Sequence, residues 1–167
     1  MRVAILTVSD RAARGEYQDR SGPEIERVFR DVGVGAEFVR EVVSDEASEI
    51  TAALDRLSGA KNAGAAEGTR GADFIITTGG TGLGPRDITP EVTRAWCERE
   101  LPGIAEAIRR ESMAETTTAM LSRGYAGVRG STIVVNVPGS VRGAAFAASI
   151  LAPVMEHAVA MLRGGSH

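Results

Sequence analysis

The chain has 167 residues, enough for one domain with a substantial core, and a formal charge of −3, so no nucleic-acid partner is expected on electrostatic grounds. Cys97 is the only cysteine, which excludes an intrachain disulfide, and the two histidines, His157 and His167, are too few for a Cys/His metal cluster. Lys61 is the only lysine, so Schiff-base or P-loop-lysine chemistry has almost no candidate; with no signal peptide or membrane span evident, a cytoplasmic protein without membrane contact is expected.

The run Val3–Val8 is almost unbroken apolar sequence and predicts a strand buried on both faces, hence a parallel sheet. Ser9-Asp10-Arg11 follows, then a polar loop from Ala12 to Arg20. Ser21-Gly22-Pro23-Glu24 carries a capping-box signature for a helix whose apolar stripe is Ile25, Val28, Phe29 and Val32, closed by Gly33. Phe38–Val43 reads as the second strand, with Ser44-Asp45 at its end. Ile50, Ala53, Leu54 and Leu57 mark the next helix, ended by Gly59. Lys61–Gly71, rich in Gly and Ala, reads as a loop inside a single domain spanning residues 1–167.

Asp73-Phe74-Ile75-Ile76 predicts the third strand, and the stretch from Thr77 to Glu91 follows it (TTGGTGLGPRDITPE). Thr89 suits a helix cap, Pro90 the first helical position and Glu91 the positive end of the helix dipole. The pattern is strand, glycine-rich loop, helix. Gly79, Gly80, Gly82 and Gly84 let the backbone come close to an anion, whose oxygens the N–H groups can cradle. Arg86 adds a fork for phosphate, and Asp87 adds a carboxylate of the kind Mg²⁺ needs. Neither a Walker loop nor the dinucleotide fingerprint fits, because no Lys-Ser/Thr pair and no G-x-G-x-x-G spacing is present.

Val92, Ala95 and Trp96 stripe the next helix. Leu101-Pro102-Gly103 breaks it, and another helix is expected from Ile104 toward Leu121, ended by Ser122-Arg123-Gly124. Taken alone, Arg123 reads there as a cation at a helix C-terminus. Ser131–Val137 is the fourth strand, and Asn136-Val137-Pro138-Gly139-Ser140 forms a second glycine-containing turn. Ala144–Leu162 is helical, with a kink or restart expected at Pro153. His157, Trp96 and Cys97 read as packing residues.

Alternating strands and helices predict an α/β fold: a three-layer α/β/α sandwich around a mostly parallel sheet. In such a sheet, ligands bind at the edge formed by the strand C-termini. Ser9-Asp10, Ser44-Asp45, the glycine loop with Arg86-Asp87, and Asn136–Ser140 all fall on that edge, which points to an enzyme with one site. Asp10 and Asp45 read equally as turn or helix caps and as site carboxylates; Asp87, against the anion loop, reads as functional. A divalent cation such as Mg²⁺ would make three aspartates compatible with a phosphate loop.

Together these motifs resemble the molybdenum-cofactor biosynthesis family that includes the bacterial Mog and MoaB proteins and the G domains of gephyrin and its plant relative. The resemblance is carried by Val8-Ser9-Asp10-Arg11, Gly15–Asp19 before Ser21-Gly22-Pro23, Asp45-Glu46, Thr77–Glu91, Leu121-Ser122-Arg123 and Asn136–Ser140, and it spans nearly the whole chain. Ala47-Ser48 stands where many relatives have a proline, and the Lys61–Gly71 loop is expanded. The resemblance implies a subunit that forms a trimer, with a hexamer as the other option. It implies a molybdopterin adenylyltransferase using Mg²⁺ and ATP as co-substrate, with a molybdate-insertion protein acting afterwards. By motif position, Asp45 and Asp87 match the aspartates important for activity and are the Mg²⁺ candidates. Ser9, Asp10, Thr78, Gly79, Gly80, Thr81, Gly82, Arg86, Ser122, Arg123, Asn136, Pro138, Gly139 and Ser140 fall in its nucleotide- and pterin-phosphate-binding motifs. The alternative is a non-catalytic molybdopterin-binding or scaffold protein on the same fold; a nucleotide-dependent kinase is a more distant rival.

Overall fold

The computed structural model describes residues 1–59 and 70–165. Of the loop expected over Lys61–Gly71, all but Arg70 and Gly71 lies outside the described residues. The apolar runs form the centre of a six-stranded sheet: β1 (Arg2–Val8), β2 (Glu37–Val43), β3 (Phe74–Thr78) and β6 (Thr132–Val137), in the order β2-β1-β3-β6 and all parallel. Register brings Val3 opposite both Phe38 and Phe74, and Thr78 opposite Val137. The sheet then continues antiparallel through β5 (Ala126–Arg129) to β4 (Arg99–Glu100).

Side chains alternate across the sheet as the strand period demands. On one face Val3, Ile5, Phe74, Ile76, Ile133 and Val135 pack under α2 (Ser21–Asp31), α5 (Pro102–Ser112) and α6 (Val141–Leu162). On the other, Ala4, Leu6, Ile75 and Val134 pack under α3 (Ala47–Ser58) and α4 (Thr89–Trp96). This is the three-layer α/β/α arrangement expected from the alternation of elements. By length and composition alone α6 could cross a membrane, with a mean hydropathy of 1.6. In this fold it buries Ala144, Ala147, Ala148, Leu151 and Met155 in the core.

Several local expectations are revised. The polar segment after Ser9 begins with a short helix, α1 (Asp10–Ala13), capped by the Ser9 hydroxyl, which accepts from the Ala12 N–H at 3.3 Å. Ser21 does not cap α2. The cap position falls on Arg20, and Asp19 before it satisfies the free N–H groups of Ser21 (3.0 Å) and Gly22 (3.2 Å) through one carboxylate oxygen. Thr89 lies inside α4 rather than at its cap, and Asp45 does not cap α3, whose cap position falls on Glu46.

The helix expected to run toward Leu121 stops at Ser112, and a 3₁₀ turn covers Thr117–Leu121. Three successive β-branched residues, Thr116, Thr117 and Thr118, lose rotamer freedom in an α-helix and favour its end. α6 runs unbroken through Pro153. The strands β4 and β5 have no counterpart in the sequence reading.

Candidate active site

Chain order sets the site. From β1 the chain turns out to β2 on one side, then returns to β3 on the other, so the turns after β1 and β3 flank a switch point at the C-terminal edge of the sheet. The turn after β3 must pass against β1 itself. Gly79, at φ +106°, lies where any Cβ would overlap the Val8 carbonyl oxygen, and Gly80, at φ +63°, is pressed between the Thr89 side chain and Asp45. Only glycine adopts these angles at this spacing without strain.

The loop is stitched to its neighbours. The Thr78 hydroxyl donates to the Pro138 carbonyl at 2.7 Å, and Gly139 abuts Gly79, where a Cβ would lie 3.0 Å from the Gly79 Cα. Beneath this seam the Asn136 side-chain N–H donates to the Thr77 and Thr93 hydroxyls at 2.8 and 3.0 Å. Thr78 and Asn136, expected at the ligand, are both buried and fasten the turns from inside.

Asp10 and Asp45 clasp each other across two turns: the Asp10 N–H donates to an Asp45 carboxylate oxygen at 2.7 Å, and the Asp45 N–H to Asp10 at 3.0 Å. Arg86 lies on this pair with a bidentate contact to Asp10 (2.9 and 3.0 Å) and reaches Glu46 at 2.7 Å. The fork expected for phosphate is therefore occupied by protein carboxylates. Asp87 folds back to accept from the Gly84 N–H at 2.7 Å, and its carboxylate lies beside Gly82 and Gly84. Asp45 thus borders the loop at Gly80, and Asp87 borders it at Gly82.

The two aspartates of the clasp titrate in opposite directions. The Asp45 N–H first, helped by Arg86, lowers the Asp10 carboxyl below the usual aspartate range. Burial raises the Asp45 carboxyl, and the negative charges of Asp10 and Asp87 raise it further against the opposing pull of the clasp and Arg86. Asp45 therefore feels the charge of Asp87, and Arg86 is engaged by Glu46 and Asp10. Two such carboxylates suit a hard cation with oxygen ligands. Among the described residues no three His, Cys, Asp or Glu side chains group to hold a metal without a substrate. That donor set fits Mg²⁺, which takes one or two carboxylates and completes its shell with water and substrate phosphates.

Beside the loop opens a cleft of about 520 Å³. Thr81, Gly82 and Leu83 form one wall, Ala119, Leu121 and Ser122 another, and Pro138, Ser140 and Phe146 close it. An ion pair between Glu115 and Arg142 stands at its rim. Mostly apolar walls around a few polar groups suit a flat organic ligand. Sequence reasoning placed Thr81, Gly82, Ser122, Pro138 and Ser140 here but missed Leu83, Leu121, Phe146 and the Glu115–Arg142 pair. Leu83 alone left a signal, as a large apolar residue inside a glycine loop; it is 68% exposed. The Ser140 hydroxyl caps α6, accepting from the Gly143 N–H at 3.2 Å. Cys97 lies away from the cleft, and burial pushes its thiol up to about 11, which suits a packing role.

Sheet edge, glycine loop, acidic pair and apolar cleft define an α/β protein with a candidate site for an organic ligand beside carboxylates. The chain belongs to the molybdenum-cofactor biosynthesis family described as "probable molybdopterin binding domain", whose pattern matches residues 4–157. It is 39% identical over 166 residues to a molybdenum cofactor biosynthesis bifunctional protein of Chlorobaculum tepidum, covering 99% of this chain and 50% of that protein. It is 34% identical to a molybdopterin adenylyltransferase of Helicobacter pylori, covering 97% of this chain and 88% of that one. The chain therefore spans half of the bifunctional relative and most of the shorter one. In structure it is similar to the molybdopterin biosynthesis enzyme MoaB of Thermus thermophilus, with a TM-score of 0.84, 42% identity, and coverage of 98% and 96%.

Proposed function

We propose that the chain is a molybdopterin adenylyltransferase acting as one domain. The observation that carries this reading is that Asp45 borders Gly80 and Asp87 borders Gly82 and Gly84 of one glycine loop, whose Thr81–Leu83 segment forms a wall of the cleft. The Helicobacter pylori relative of similar length bears that name. In the reaction a phosphate oxygen of the pterin attacks the α-phosphorus of ATP. A P–O bond forms to the adenylyl group, the bond to the β-phosphate oxygen breaks, and pyrophosphate leaves. Asp87 and Asp45 are the residues that would hold Mg²⁺, which would supply charge neutralisation for the departing pyrophosphate. The protein's own part is positional: the N–H groups of Gly80–Gly82 face the phosphates, the cleft holds the pterin, and Asp87 orients the reacting groups.

Mass analysis of protein incubated with molybdopterin, Mg²⁺ and ATP tests this reading. Adenylated pterin and pyrophosphate are expected. Pterin binding without turnover would leave the scaffold reading, and release of ADP would make the protein a kinase. Asp87→Asn is expected to lower turnover about 10²- to 10³-fold with pterin affinity little changed. Adenylation at the wild-type rate by that variant would remove Asp87 from the chemistry.

Three wider parts of the reading follow the family resemblance. These are a homotrimer, hand-over to a molybdate-insertion protein, and a cytoplasmic setting. An apolar groove between α5 and α6, with Ile104, Ile150, Val154 and Met161 in its walls, supports self-association, which light scattering would reveal.

A further inference from the structure

Arg123 differs from Arg86 in where its bonds go. It directly follows the 3₁₀ turn and Ser122, which together form one wall of the cleft, and its backbone N–H donates to the Thr81 carbonyl at 3.0 Å. Its Nε donates to the Gly82 carbonyl at 2.7 Å, one Nη donates to the Asp87 carbonyl, and the other pairs with the Glu91 carboxylate in the first turn of α4. One residue thus ties the far wall of the cleft to the glycine loop at both ends and to the helix that follows it. The side chain is 34% exposed against 52% for Arg86, so this guanidinium lies along the loop instead of reaching into solvent.

The chemistry of the group suits this use. A planar guanidinium presents several N–H donors in fixed directions, and here two of them meet backbone carbonyls five residues apart while Glu91 sets the orientation of the plane. A lysine ammonium has the charge but lacks that fork. Without Arg123 the Gly82 and Asp87 carbonyls lose their partner. The turn between them then rests on the Asp87–Gly84 bond, one backbone bond from the Asp87 N–H to the Gly84 carbonyl at 3.0 Å, and the Arg86 contacts to Asp10 and Glu46, which hold its other side and leave the cleft side unfastened.

The geometry points to Arg123 as a positioning residue, not a phosphate ligand: it holds the Gly82–Asp87 turn against the cleft wall, so that the place where the pterin sits and the place where the acid sits are fixed by one side chain. The kinetic part of this inference rests on the adenylyl-transfer reading; the structural part does not.

Hydrogen exchange on ligand-free protein, read by mass spectrometry, tests the structural part with Arg123→Ala, Arg123→Lys and Glu91→Gln. Amides between Gly82 and Asp87 are expected to exchange at least about tenfold faster in Arg123→Ala, with β1 and β3 unchanged. Glu91→Gln should give a smaller effect in the same segment, and Arg123→Lys should resemble Arg123→Ala. Unchanged exchange in that segment in both Arg123→Ala and Glu91→Gln overturns the proposal. Should Arg123→Ala fail to fold, Arg123→Lys, which keeps the charge but lacks the fork to both carbonyls, decides alone.

In the adenylation assay, kcat should fall about 10²-fold with the KM for ATP held within about threefold, the mark of a misplaced group. A raised KM with kcat retained would make Arg123 a phosphate ligand and overturn the proposal. If the wild-type protein forms no adenylate, the functional reading fails, and the exchange result still decides the role of Arg123.

Discussion

Replacing Gly79 by alanine separates two costs that this fold imposes on the same residue. The first is conformational: at φ +106° an L side chain meets its own backbone, at about 1–2 kcal/mol. The second is steric: the new Cβ overlaps the Val8 carbonyl oxygen by roughly 1 Å relative to ordinary contact, and relieving such overpacking costs about 1–3 kcal/mol. Val8 ends the buried strand β1, so the carbonyl cannot swing away as a side chain would.

Gly33 supplies the control, because it has φ +83° but nothing within 4 Å of an added Cβ. At about 2–4 °C per kcal/mol for a chain of this size, Gly33→Ala should melt about 2–8 °C below wild type. Gly79→Ala should melt about 4–20 °C below, the excess measuring the close approach. Melting followed by circular dichroism at one protein concentration gives both values, and the adenylation assay should show Gly33→Ala active and Gly79→Ala reduced about 10²-fold. Equal melting of the two variants, with Gly79→Ala fully active, would refute the claim that the loop is held against β1.

Asp45 should show a trade between stability and function. Its carboxyl is raised above the 3.8 usual for aspartate, chiefly by burial, so the folded state holds the proton more tightly than the unfolded one. The stability tied to that proton is present in acid and is lost as pH rises through the folded value. Asp45→Asn should therefore melt level with wild type below the ordinary aspartate range and above it once pH passes the raised folded value, measured without Mg²⁺, while its adenylation falls about 10²- to 10³-fold. A variant less stable than wild type at neutral pH would show that the Asp45 charge is well compensated. Asn136→Ala removes the N–H donors that Thr77 and Thr93 accept in a site only 3% exposed, at a cost of about 2–4 kcal/mol. Urea unfolding should register that cost as a lower midpoint with unchanged slope, and a midpoint equal to wild type would sink the assignment of Asn136 to the seam.

The central strands were legible in the sequence because burial on both faces leaves an unbroken apolar run, as in Val3–Val8 and Phe74–Ile76. The glycine loop was legible because its glycines and the first-turn proline each leave a local mark, whereas the cap expected at Thr89 falls on Ile88. β5 was not, since Ala-Gly-Val-Arg is short, contains glycine and alternates weakly; it is strand because β6 offers it a partner. The site's wiring was the least readable part. Arg86 meets Asp10 across 76 positions and Arg123 meets Gly82 across 41, and no local spacing records such a pairing. Residue type suggested phosphate for Arg86 and a helix C-terminus for Arg123, which only the family resemblance placed in a phosphate-binding motif, whereas the fold gives Arg86 to acidic side chains and spreads Arg123 over a backbone. The reciprocal bonds of Asp10 and Asp45 likewise unite residues that each read equally as a local cap and as a site carboxylate.

The bare contact between Gly79 and Gly139 bears on how this protein can change over generations. Two stretches of chain sixty positions apart meet there without a side chain between them. A methyl group gained on Gly139 pushes on Gly79, and one gained on Gly79 pushes on the Val8 carbonyl, so neither site can drift by itself. Remodelling for a bulkier or differently shaped ligand has to come from Leu83, Leu121 and Phe146, which border open space, while the facing glycines stay as a fixed joint.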